Sequence, residues 1–168
     1  ELLCYSNSLT SLDLSRNTQL KVLGCFANSI TSLDVSHNAQ LTELDCSENK
    51  ISSLDVSKNT KLVQLHCFEN SIASLDLSRN TALVLLYCYK NALTSLDLRH
   101  NTNVERLICF ENSLASLDVS NSKQLTLLNC HTNHLTSLDL SHNAKLGKLS
   151  CYKNALTSLD MSNNPELE

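Results

Sequence analysis

The sequence contains no tryptophan, and its 168 residues include only two glycines and one proline. Chain reversals must therefore be built largely from Asn, Asp and Ser, whose short polar side chains bond to their own backbone. There is no cationic excess: the formal charge is -4, so nothing steers the chain toward nucleic acid or an anionic surface. No apolar run approaches the roughly 20 residues needed to span a bilayer, so no membrane insertion is expected. Also missing are a Gly-rich phosphate loop, a nucleophile elbow and a H-E-x-x-H pair. Ser, Asp and His recur throughout, but a repeated array generates triads by chance. The sequence reads as non-enzymatic, with no cofactor.

What it does contain is a repeat. Cys4, Cys25, Cys46, Cys67, Cys88, Cys109, Cys130 and Cys151 are evenly spaced, and eight 21-residue units fill the 168 residues. One unit reads L-x-x-L-x-C-x-x-N-x-L-x-S-L-D-L-S-x-N-x-x, as in Leu20, Leu23, Cys25, Asn28, Ile30, Leu33, Asp34, Val35, Ser36 and Asn38. With no linker and no shift in composition, a single domain is expected over residues 1–168.

The L-x-C and L-D-L segments alternate apolar with polar or variable residues, which is strand periodicity with one face inward. The spacing predicts two short strands and two corners per coil, and leaves little room for a helix at about 1.5 Å rise per residue. About six apolar side chains per coil should point inward, each contributing about 1.5–3 kcal/mol when buried. No coil can bury them alone, so stability depends on neighbouring coils.

The L-x-x-L-x-C-x-x-N-x-L spacing resembles the leucine-rich-repeat family, with Cys replacing the third Leu, and looks most like its short bacterial class. The resemblance implies a mainly β right-handed superhelical solenoid. It has a parallel sheet on its concave side, extended or turn-like structure opposite, and no long helices. Such proteins commonly bind other proteins, often at bacterial surfaces, so an extracellular or cell-surface location is the expectation. The resemblance also implies that Asn28, Asn49, Asn70, Asn91, Asn112 and Asn133 form a corner ladder, their amides bonding the backbone of adjacent coils. A second Asn series, from Asn17 to Asn164, is broken at Ser122.

The cysteines suggest neither metal nor disulfide. Zinc sites use close pairs, and none occurs here. In-register parallel strands lie about 4.8 Å apart with parallel Cβ vectors, which suits a disulfide poorly. Cys25, Cys46, Cys67, Cys88, Cys109 and Cys130, with Cys4 and Cys151, are expected to be buried free thiols.

Two outward faces remain. The column after each Cys reads Tyr5, Phe26, Ser47, Phe68, Tyr89, Phe110, His131 and Tyr152, and holds six of the seven Phe and Tyr residues. The seventh, Tyr87, lies on the same face in the column before each Cys, where the repeats differ most. A protein partner is expected there, with Phe68, Tyr87, Tyr89, Arg106, Ile108, Phe110, His131 and Tyr152 as binding residues. Glu69, Lys90 and Glu111 would complete a polar surround. A glycan is the more distant alternative.

The other face repeats Ser-x-Asp-x-Ser. Its Asp column, including Asp34, Asp55, Asp76, Asp97 and Asp118, should be satisfied by the flanking Ser hydroxyls and by a basic column three residues on. A structural spacer or a cation-binding solenoid using these carboxylates is the alternative function. Leu2 and Leu167 fall at internal repeat positions with no cap, which predicts a piece of a longer protein or end-to-end self-association.

Overall fold

The computed structural model describes residues 1–168. Eight strands form one parallel sheet in chain order: β1 (Leu2–Leu3), β2 (Val22–Gly24), β3 (Glu43–Asp45), β4 (Gln64–His66), β5 (Leu85–Tyr87), β6 (Arg106–Ile108), β7 (Leu127–Asn129) and β8 (Lys148–Ser150). The register offset equals the repeat length throughout, as in Leu23 against Leu44 and Leu65 against Leu86. Identical repeat positions therefore lie side by side, and every feature of the sequence repeat becomes a column in space.

The sheet ends at a corner where the backbone turns left-handed. Ser6, Ala27, Glu48, Glu69, Lys90, Glu111, Thr132 and Lys153 all have φ between 50° and 55°, and none is glycine. Each such residue costs about 1–2 kcal/mol, so the surroundings must enforce it. The next residue does so. The Asn49 amide nitrogen donates to the carbonyls of Cys46 and Ser47 in its own coil and of Cys25 in the preceding one. Its Oδ1 accepts from the Ile30 N–H. Asn28, Asn70, Asn91, Asn112, Asn133 and Asn154 make the same set of bonds, each tying its own corner to the preceding one.

The core is a prism of six apolar columns. Leu65, Cys67, Ile72, Leu75, Leu77 and Leu83 show one side chain from each, and all are buried. This matches the six inward residues per coil read from the repeat. All eight cysteines are free thiols. Six are completely buried, while Cys4 and Cys151 in the outermost coils are half-buried.

The second expected strand does not form. The L-D-L stretch of each coil has no sheet partner. Its Asp side chain takes the backbone instead: Asp34 Oδ1 accepts from the Ser36 N–H, and Asp76 Oδ1 from that of Ser78. Adjacent coils are joined there by the second Asn series. The buried Asn59 amide donates to the Val35 and Asn38 carbonyls, and Asn80 does the same to Val56 and Asn59. At the Ser122 break no such bonds are made, and its hydroxyl is buried without a partner.

Candidate binding face

Outward side chains of the sheet come from the strands and from the residue just after each Cys. Because adjacent strands lie about 4.8 Å apart, flat side chains in one column must stack. Phe68, Tyr89, Phe110, His131 and Tyr152 form an unbroken five-ring stack, with centroids 4.2 to 4.4 Å apart and planes within 19° of parallel. Tyr5 and Phe26 make a separate pair at 4.4 Å. In the neighbouring column His66 and Tyr87 stack at 4.6 Å.

The break between the two stacks falls at Ser47. Its hydroxyl donates to Asp45 Oδ1 at 2.6 Å, and its backbone N–H donates to the same oxygen. Asp45 also lies 3.6 Å from His66 Nδ1. Burial pushes the Asp45 carboxyl up, but the His66 ring beside it and the hydrogen bonds from Ser47 outweigh it and hold the group below the usual range. Asp45 is therefore ionised at neutral pH.

The expected binding residues fall on one surface. Phe68, Tyr89, Phe110 and His131 are half-buried, and Tyr152 is 57% exposed. Tyr87 and Ile108 are neighbours across β5 and β6, and Leu85 pairs with Arg106, which in turn pairs with Leu127. The polar surround is partly closed: Lys90 Nζ meets Glu69 Oε1 at 2.7 Å across adjacent coils. Burial lowers the His131 pKa and raises that of Tyr89, so both rings are neutral at pH 7.

On the opposite face, each Asp carboxyl is held low chiefly by its bonds to the residue two positions on, a Ser in seven of the eight coils. In the fifth coil the partner is Arg99. It grips Asp97 with two side-chain nitrogens and brings that carboxyl down to about 2. The basic column three residues on contributes less than these local bonds. No three His, Cys, Asp or Glu side chains come together as a metal-ligand group.

Sequence reasoning passed over the part Gly24 plays on the sheet face. It leaves a gap in the column between Leu3 and Asp45, and a hollow of about 190 Å³ lies over it. Gly24 stands out as one of two glycines in the chain, but the hollow depends on neighbours one coil away on either side.

A family model described as Leucine Rich repeat matches residues 5–27 and 131–149. The functional domain of InlJ from Listeria monocytogenes, whose description includes a cysteine ladder, superimposes with a TM-score of 0.98 and 43% identity, over 99% of this chain and 37% of that one. The chain belongs to the leucine-rich-repeat family. The fold recurs in a leucine-rich-repeat protein of Leptospira interrogans, at TM-score 0.91 and 23% identity over 97% of this chain and 46% of that one. It recurs again in internalin F of Listeria monocytogenes, at 0.88 and 23% over 92% and 48%. The chain thus spans less than half the length of each of these three proteins. No curated protein matches it in sequence. In leucine-rich-repeat terms, the cysteine column occupies the third Leu position. Its side chains point inward and are fully buried in the six inner coils, while the aromatic column that follows them faces outward.

Proposed function

We propose that this leucine-rich-repeat chain is a protein-interaction scaffold and not an enzyme. Its partner docks on the outward face of the sheet, centred on Tyr87, Tyr89 and Phe110, with Phe68, Arg106, Ile108, His131 and Tyr152 around them. The five-ring stack is the observation that carries this reading. Rings locked at 4.2 to 4.4 Å lose little freedom on binding, so they make low-cost anchors. Leu85, Ile108 and Leu127 extend the apolar area, and Arg106, Glu111 and the Glu69–Lys90 pair rim it, in the pattern of an interface core and rim. Cross-strand stacking also stabilises the sheet, but it does not by itself require that all seven Phe and Tyr side chains of the chain be gathered on this one face.

The stacking also discriminates between ligand classes. Each inner ring has both faces covered by its neighbours and presents only its edge outward. A sugar stacking on an aromatic face finds no such face inside the stack, whereas apolar side chains pack readily against ring edges. The family's common use of its sheet face for protein binding supports the same choice. It also supports a location at a bacterial surface or in the secreted fraction. No helix of the chain is long and apolar enough to cross a membrane.

Hydrogen exchange on the complex with a purified partner tests this. Protection should appear at residues 85–89, 106–110 and 127–131. Protection confined to the Asp column would assign the contact to the other face and end this proposal.

A further inference from the structure

The hollow over Gly24 lies at the end of the sheet face away from the centre of the stack. Its near wall is apolar: Leu3, Val22 and Phe26. Its far wall is acidic. Glu43 and Asp45 both line it, two residues apart on the same face of β3. Phe26 is stacked with Tyr5 on one side only, and no other ring pairs with it. His66 closes the hollow, with its ring stacked on Tyr87 and its Nδ1 against Asp45. A long side chain with an apolar stem and a cationic head matches this sequence of walls.

The charge on this face is also uneven. Glu43, Asp45 and Glu48 occupy the third coil, and no Lys or Arg of that coil shares the strand face; Glu69 in the fourth coil is already paired with Lys90. Ser47 ties up only one Asp45 oxygen, Oδ1. The second oxygen has His66 Nδ1 at 3.6 Å, too long for a full hydrogen bond. Asp45 therefore keeps acceptor capacity facing a hollow that would otherwise hold only solvent. A guanidinium fits better than an ammonium. It is planar enough to lie on an aromatic ring, it is weakly hydrated, and its fork can bridge two carboxylates.

We propose that the Gly24 hollow is a specificity pocket for an arginine side chain of the protein partner. The stem lies over Gly24 against Leu3 and Val22, and the guanidinium sits between Phe26 and the carboxylates of Asp45 and Glu43. This deepens the protein-binding reading and rests on it. Gly24 is the residue that makes the pocket possible. A Cβ there would come within 3.0 Å of Leu3 Cδ2, and a larger side chain would fill the space.

The test is a titration of the isotope-labelled full chain with the peptide acetyl-Ala-Arg-Ala-amide, followed by amide shifts. Saturable shifts should cluster at Gly24, Phe26, Asp45 and His66 and weaken as salt is raised. Asp45→Asn should lower affinity at least tenfold with the thermal midpoint checked in parallel, and Gly24→Leu should abolish the shifts. A norleucine peptide should bind at least tenfold more weakly. The Tyr89→Ala/Phe110→Ala variant should bind the arginine peptide as the parent does, so failure of the pocket is read separately from failure of the stack. Absence of saturable shifts, or equal binding of norleucine, would overturn the pocket. Equal binding of a lysine peptide would overturn the guanidinium assignment.

Discussion

At the residue scale, three kinds of side chain make the coil possible, and their roles were legible to different degrees. The cysteines were expected as eight buried free thiols; six are fully buried, and Cys4 and Cys151 in the outermost coils are half-buried. Burial pushes the Cys25 and Cys130 thiols up to about 12, and Cys46, Cys67, Cys88 and Cys109 well above the ordinary range. A disulfide-exchange reagent should therefore label Cys4 and Cys151 first in the folded protein. Once the chain is unfolded without reductant it should titrate eight thiols, and a markedly lower count would contradict free cysteines throughout. The corner Asn ladder was also foreseen. The left-handed residue just before it was not, because its identity varies from Ser to Lys and carries no sequence signal. The second Asn series identifies Ser122 as a defect. Ser122→Asn should restore two amide bonds to the carbonyls of the preceding coil and stabilise the protein by about 1 kcal/mol. Asn80→Ala should destabilise it by about 1–3 kcal/mol by leaving buried carbonyls short of a donor. Chemical denaturation of both variants checks the pair.

At the scale of the element, one strand per coil was legible and the other was misread. L-x-C and L-D-L have the same alternation, and periodicity alone cannot separate them. The difference lies in the Asp. A side-chain oxygen that captures the N–H two residues on removes the donor a sheet would need, and the alternation survives only as an inside–outside pattern. The aromatic column was visible as a column. Its division into a pair and a five-ring stack follows from Ser47, which carries no ring; the bond from Ser47 to Asp45 was not visible. The stack contains one titratable member that burial has shifted down, His131. With its folded pKa below its ordinary value of about 6.5, stability is fully present above that pH and is lost as pH falls through the lower folded value. The effect is modest because the ring is only half-buried. Thermal midpoints measured between pH 7.5 and 5 should fall further for the parent than for His131→Phe, which keeps a ring in the stack without the charge. Equal falls would show that protonation of His131 does not disturb it.

At the scale of the whole molecule, the constant register turns a one-dimensional pattern into three functionally different surfaces. The inward columns are nearly uniform because each coil must fit the next. The Asp face is nearly uniform because each carboxylate is satisfied within its own coil. The outward columns of the sheet vary most, and there the chain places its aromatic side chains, its acidic third coil and the Gly24 hollow. The sequence showed where variation was permitted. It could not show that a glycine set between Leu3 and Asp45 opens a pocket, since that follows from neighbours one full coil away on either side.

The most direct measurement is the affinity of a purified partner for three forms of the protein: the parent, Tyr87→Ala/Tyr89→Ala/Phe110→Ala, and Asp55→Asn/Asp76→Asn/Asp97→Asn, each first shown by circular dichroism to be folded. Docking on the stacked rings requires the aromatic variant to lose at least a hundredfold in affinity while the Asp variant binds as the parent does. Parent-like binding by the aromatic variant, or a loss confined to the Asp variant, would contradict it.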